Sequence, residues 1–369
     1  MTQAGVITES EFAVLREELS QDEAEPWRNI PWQVSLVDAL AVAKREKKNL
    51  LMIVRSGHPL GCTCNNGLVD RAMVDMDPEV ASLLRTRFIP VAIDQHIHRR
   101  LDNEEGRQFA AIVKQAGSLV ELSAQGFYIF NSSARLKSFR HTQDVAVVKR
   151  LLADALSEAD VEQSVSEPSS RDDNSNFVLN PPGDVVVLDV VSRVLGGYDA
   201  PADSREAILQ SARGCDHCWI RRDEIAEIAS GSMPQSLLTR MARYHLVDNT
   251  RGEPPMWDAD EVRDLIAGLH DGDLTGSVRL ETESSRRGYS ATLFGRVNAE
   301  GEVLKEFDVV ARGLAWGGGS YNSGAPRGKY PLAVRFTVAR GIWPFDSVPP
   351  GAARTRVAEY LGEPVAVGM

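Results

Sequence analysis

Long apolar runs are missing from this 369-residue chain. No stretch approaches the roughly 20 residues that a membrane-spanning helix needs, which excludes a span of that kind. Positive charge is in deficit too: a formal net charge of −11 and a pI near 5.3 argue against a chain built to hold nucleic acid or an anionic membrane surface. The four cysteines are too few for a secreted disulfide scaffold, yet they fall in two close pairs, Cys62/Cys64 and Cys215/Cys218. In a reducing cytosol such pairs point to metal or redox work. The sequence holds no phosphate loop, no G-x-G-x-x-G, no G-x-S-x-G and no H-E-x-x-H, so nucleotide, hydrolase and zincin chemistry have no direct support. Met1 to Asp22 is acidic, without the basic and apolar regions of an export signal, and predicts a soluble, cytoplasmic chain.

What is present is an ordinary globular composition, 43% hydrophobic and 25% charged, over a length that suggests two domains. Residues 1–30 carry one weak helical pattern, Glu11 to Leu19, and read as a loosely packed lead-in. Residues 31–160 alternate helical and strand patterns. Ser35 can cap a helix through Leu36, Ala39, Leu40 and Ala43. Leu50 to Val54 and Phe88 to Ile93 are apolar at every position and predict strands buried on both faces. Asp77-Pro78 opens another helix, with Asp as cap and Pro in the first turn. A helix over Asn103–Ala116, strands over Gly126–Phe130 and Leu136–Phe139, and a helix over Thr142–Ala159 complete an α/β unit. Residues 161–183, Ser-, Glu- and Asp-rich and ending in Asn180-Pro-Pro-Gly183, read as a linker. Residues 184–369 predict an α+β domain: a strand over Asp184–Val194, helices over Asp203–Gly214, Arg221–Ala229, Pro234–His245 and Asp258–Leu269, then strands forming an antiparallel sheet.

The densest chemistry lies in Arg55-Ser-Gly-His-Pro-Leu-Gly-Cys-Thr-Cys64, directly after the first core strand and punctuated by Gly57, Pro59 and Gly61. Together with Trp32, Ser35 to Lys44, Asn49 to Val54, Asp77-Pro-Glu-Val80 and Phe88-Ile-Pro-Val91, this loop resembles the thioredoxin-like superfamily over about residues 27 to 160. The resemblance implies a thioredoxin-like fold with thiol–disulfide chemistry at Cys62 and Cys64, and a protein or small-thiol partner. The pattern departs from that family in two places. The cysteine pair is Cys-x-Cys rather than Cys-x-x-Cys, and Ala124-Gln125 stands before Gly126 where a cis-proline is expected. The longer form, including Val91-Ala-Ile-Asp-Gln95, is similar to two-domain thioredoxin-like proteins of planctomycete-type bacteria, which implies a bacterial source and no particular activity.

Three readings of the loop stand side by side. In the first, Cys62 is the exposed nucleophile and Cys64 the resolving thiol, although a disulfide between cysteines two apart closes only under strain. In the second, His58, Cys62 and Cys64 offer one imidazole and two thiolates to zinc or a cuprous ion. Cys215-Asp-His-Cys218 can add a further pair, making a four-cysteine zinc site. In the third, the domain is a non-catalytic interaction module. Asp94-Gln-His-Ile-His-Arg-Arg100 follows the second core strand, where open α/β sheets place ligands, and predicts a polar cleft shared by Arg55, Asp94, Gln95, His96, His98 and Arg99. Arg251, Glu253 and Trp257 form a second candidate anion or partner site.

Overall fold

The two fully apolar runs lie side by side. In the computed structural model, which describes residues 7–20, 25–117, 123–157, 179–341 and 344–362, Asn49–Arg55 (β1) pairs in parallel with Phe88–Asp94 (β2). The chain packs as two compact units, one from 22–180 with 341–349, the other from 1–21, 181–340 and 350–369. Most of the expected 161–183 linker lies outside the described residues.

The first helix, Glu9–Glu18 (α1), belongs to the second of these units and is no loose lead-in. Thr8 closes a capping box with Glu11. Phe12 and Leu15 are buried with Val191, Val310 and Ala333 of that unit's sheet. Arg16 pairs with Asp308 at 2.7 Å. The sequence pattern looks weak because the helix buries only this narrow stripe and leaves Val14 exposed.

In the 22–180 unit, Leu36–Glu46 (α2) starts at the Ser35 cap, and β1 is followed by Asn65–Met76 (α3) and Pro78–Thr86 (α4). Asp77 caps α4, accepting from Glu79 N and Val80 N, with Pro78 in the first turn as its sequence predicts. After β2 come Gln95–His98 (α5), Glu104–Gln115 (α6), the strands Gly126–Phe130 (β3) and Leu136–Arg140 (β4), and Val145–Ser157 (α7). The sheet order is β2-β1-β3-β4, with β3 antiparallel to both β1 and β4. Side chains along β1 alternate between two cores: Leu51 and Ile53 pack with α3, α4 and α7, while Leu50, Met52 and Val54 pack with α2 and α6. Burial on both faces explains why the run Leu50 to Val54 has no polar position, each such side chain contributing about 1.5–3 kcal/mol.

The other unit is built on a seven-stranded antiparallel sheet. Val185–Val194 (β5) leads through Ser204–Ser211 (α8) to Gly214–Arg221 (β6). Arg222–Ala229 (α9) and Gln235–Arg240 (α10) follow, the latter running into a π-helical turn at Met241–His245. The remaining strands are Val262–His270 (β7), Asp273–Glu281 (β8), Gly288–Glu300 (β9), Val303–Trp316 (β10) and Lys329–Val338 (β11), and Val357–Leu361 (α11) ends the described chain. Two expectations are corrected. Asp258–Leu269 is a short turn and then β7, an edge strand whose half-buried Leu265, Ala267 and Leu269 alternate with exposed residues, so its period is two and not 3.6. The expected helix over Asp203–Gly214 stops at Ser211, and Cys215 to Cys218 lie on a strand paired with β5.

Candidate functional site

The loop after β1 is held by its own backbone and by α3. Gly57 adopts a left-handed φ of 73° and bridges to Thr63. His58 N donates to Cys62 O at 2.9 Å, and Gly61 N donates to His58 O at 2.9 Å. From the first turns of α3, Arg71 reaches back to donate to Pro59 O at 2.8 Å and to Gly61 O. The start of α3 requires glycine at position 67, since a Cβ there would stand 2.3 Å from Thr63 Oγ1. His58 Nδ1 accepts from Leu60 N at 3.1 Å, so this nitrogen serves the loop backbone.

The two sulfurs of the loop sit in different surroundings. Cys62, expected to be the exposed one of the pair, is buried, 4% exposed. Cys64 is half-buried at the N-cap of α3, and its side chain makes no capping bond. Its Sγ lies 3.5 Å from Gln125 Oε1 as donor to acceptor. Gln125 Nε2 donates to Ser56 Oγ at 3.2 Å, and Gln95 Nε2 donates to the same oxygen at 2.8 Å. Gln95 Oε1 accepts from Ala124 N at 3.0 Å, tying the loop before β3 to the end of β2. Ser56, Cys64, Gln95 and Gln125 thus come from the ends of β1 and β2, the start of α3 and the approach to β3. Because β3 is antiparallel to β1, all four arrive at the carboxyl edge of the parallel pair, where open α/β sheets place ligands.

Of the expected polar cleft, only Gln95 joins this cluster. Arg55 is fully buried, with Nε and Nη2 on Asp70 at 2.6 and 3.1 Å and its guanidinium 4.9 Å from the Phe127 ring centroid. A buried guanidinium needs such a partner, and α3 supplies it in place of Asp94. Asp94 sits opposite Arg55 in strand register but caps α5, accepting from His96 N at 2.8 Å. His98 is buried, with Nδ1 at 3.0 Å from Asp94 O and Nε2 at 3.7 Å from Glu105. Burial pushes the Glu105 carboxyl up, but His98, the Ser35 hydroxyl and Leu36 N hold it below the usual carboxylate range. His96 is exposed on α5, and Arg99 is exposed at its C-cap.

The metal expectations do not gather into a ligand set. Cys215 and Cys218 are three apart on β6, so their side chains leave opposite faces of the sheet and cannot close on one ion from the same side. Among the described residues, no cysteine belongs to a group of three His, Cys, Asp or Glu side chains with ligand atoms within 4.8 Å of one another. Cys218 is instead fully buried on the face it shares with Asp216. There His245 holds its Nδ1 3.2 Å from Asp216 and its Nε2 2.7 Å from the Tyr360 hydroxyl. Burial disfavours the His245 charge, but Cys218 and Asp216 outweigh it and push the imidazole up to about 9.

Sequence reasoning missed Ser56, Asp70 and Gln125. A serine and a glutamine beside loops are unremarkable by pattern, and only the strand pairing brings them together; the one available signal was the position of Gln125 next to the expected proline site. No family model matches the chain, and no curated protein and no solved structure matches it either.

Proposed function

We propose that the 22–180 unit is a thioredoxin-like thiol domain in which Cys64 alone carries out thiol–disulfide exchange with a small or protein disulfide. The observation that carries this reading is the placement of Cys64: a half-buried sulfur at the start of a 12-residue helix, without a capping bond, on the side chain of Gln125. The sheet order β2-β1-β3-β4 with the loop between β1 and α3 supports the fold assignment. The first N–H groups of a helix lack intrahelical partners and suit an anionic sulfur there.

In the exchange, the Cys64 thiol gives its proton to solvent and the thiolate attacks one sulfur of the substrate disulfide. A Cys64–substrate S–S bond forms, the substrate S–S bond breaks, and the departing thiolate takes a proton from water. Gln125 serves both states of the sulfur. Its oxygen accepts from the thiol; with the amide reversed, Nε2 donates to the thiolate and the oxygen accepts the Ser56 hydroxyl proton. Cys62 lies buried and two residues away, where direct closure on Cys64 is strained, so a second external thiol releases the mixed disulfide.

Incubation with glutathione disulfide followed by mass analysis tests this. One glutathione added to the native chain and to Cys62→Ser, and none to Cys64→Ser, is the expected result. Equal labelling of the Cys64→Ser variant removes the proposal.

A further inference from the structure

We infer that the 181–340 unit carries a receptor for a small-molecule carboxylate, built on Arg251. Arg251 lies in the loop between the π-helical turn and β7 and is 3% exposed. Its Nη1 is engaged, donating to the Tyr198 hydroxyl at 3.0 Å and pairing with Asp248 at 2.5 Å. Its Nε and Nη2, both buried, have no hydrogen-bond partner among the described residues. These two atoms form the side edge of the guanidinium, with parallel N–H bonds spaced for the two oxygens of a carboxylate.

The rest of the chain shows what this edge is for. The same pair of atoms grips Asp70 from Arg55, Asp308 from Arg335 and Asp223 from Arg221. At Arg251 the neighbouring carboxylate is already committed: Asp248 accepts from Thr250 N at 3.1 Å, Thr250 Oγ1 at 2.7 Å and the Tyr330 hydroxyl at 2.9 Å, besides Nη1. Asp248 therefore fixes the orientation of Arg251 and leaves the side edge to something else. Burying charged donors without partners is costly, and an oxyanion on that edge removes the cost.

Three loops frame this edge. Arg251 stands where loops meet at one end of the sheet: the stretch after β5 that holds Tyr198, its own loop, and the glycine-rich 317–326 loop between β10 and β11. Gly197 at φ 93° brings the first against Pro326, and a Cβ on Gly324 would come 3.9 Å from Arg251 Cδ. Tyr198 is half-buried, accepts from Arg251 and has the Thr250 hydroxyl as its other side-chain hydrogen-bond partner, so it holds Nη1 in place beside the open edge. A monoanionic carboxylate fits better than a phosphate dianion, because Asp248 places a negative charge beside the site. Of the residues singled out with Arg251 in the sequence, Glu253 pairs with Arg354, and Trp257 is buried under Arg287.

Titration of the full chain with acetate, propionate and inorganic phosphate, following arginine Nε–H resonances by NMR, tests the assignment. The expected result is one saturable Nε–H shift with acetate or propionate, weaker with phosphate by about tenfold or more. That resonance is absent in Arg251→Lys, which binds about ten- to a hundredfold more weakly. Tyr198→Phe keeps the Arg251–Asp248 pair and weakens binding severalfold, which serves where Arg251→Lys does not fold. No saturable shift with either carboxylate, unchanged affinity in a folded Arg251→Lys, or tighter binding of phosphate than of both carboxylates overturns the inference.

Discussion

The Cys64 sulfur and the Gln125 side-chain oxygen meet at 3.5 Å across 61 residues of sequence, and Ser56 receives the other end of the same amide at 3.2 Å. Removing the amide takes away the group that adapts to both states of the sulfur. Gln125→Leu is expected to slow mixed-disulfide formation about fivefold, the equivalent of one ordinary hydrogen bond of about 1 kcal/mol. An unchanged rate would mean that Gln125 only packs against the thiol. Gln125→Glu places a negative charge beside the sulfur and is expected to slow the reaction further.

Loop rigidity rests on Gly67. In Gly67→Ala the new methyl meets Thr63 Oγ1 at 2.3 Å, so Thr63 must move and Cys64 with it. The variant is expected to lose about 1–3 kcal/mol in urea unfolding and to react more slowly at Cys64. Adding Thr63→Ala should restore part of both losses. If the double variant is no better than the single one, the clash is not what the glycine avoids.

The Arg55–Asp70 pair is wholly buried. Asp70→Asn leaves an uncompensated buried guanidinium, and about 3–5 kcal/mol of stability should disappear. The double replacement Arg55→Met with Asp70→Leu is expected to recover most of it, because no charge is then left buried. Urea midpoints of the two variants check this, and a double variant as weak as Asp70→Asn would point to a packing defect.

The His245 imidazole, held between Asp216 and Tyr360, gives the other unit a pH signature. Its folded value of about 9 lies above the ordinary 6.5, so the folded state keeps a proton that the unfolded chain gives up between these limits. The stability contributed by this proton is complete below pH 6.5 and falls as pH rises through 9. The stability difference between the native chain and His245→Gln should shrink over that window. A difference that is flat or grows with pH would contradict the assignment.

How far the fold could be read beforehand follows from what each segment must satisfy. Leu50 to Val54 is buried on both faces and has no freedom to be anything but apolar, and Asp77-Pro78 announces its helix because cap and first turn have strict chemical needs. Residues that satisfy a partner far away in sequence leave no local trace. Helix α1 needs only Phe12 and Leu15 on its sheet, and β7 half-buries alternate residues of an edge strand while exposing Ile266. The cysteines drew attention to the loop between β1 and α3, but which sulfur is the less buried depends on the Gly57–Thr63 bridge and on Arg71, neither of which the local pattern reveals. Arg251 stood out by its charge, whereas the commitment of Asp248 to other donors appears only with the loops in place.

The most direct measurement is the rate at which single-cysteine chains, each keeping one of Cys62, Cys64, Cys215 and Cys218, react with an aromatic disulfide under native conditions. The Cys64-only chain should react at the rate of the fast phase of the native protein, with Cys62-only and Cys218-only chains reacting only as fast as they unfold. A native fast phase reproduced by the Cys62-only chain, and not by Cys64-only, would contradict the placement of chemistry at the start of α3.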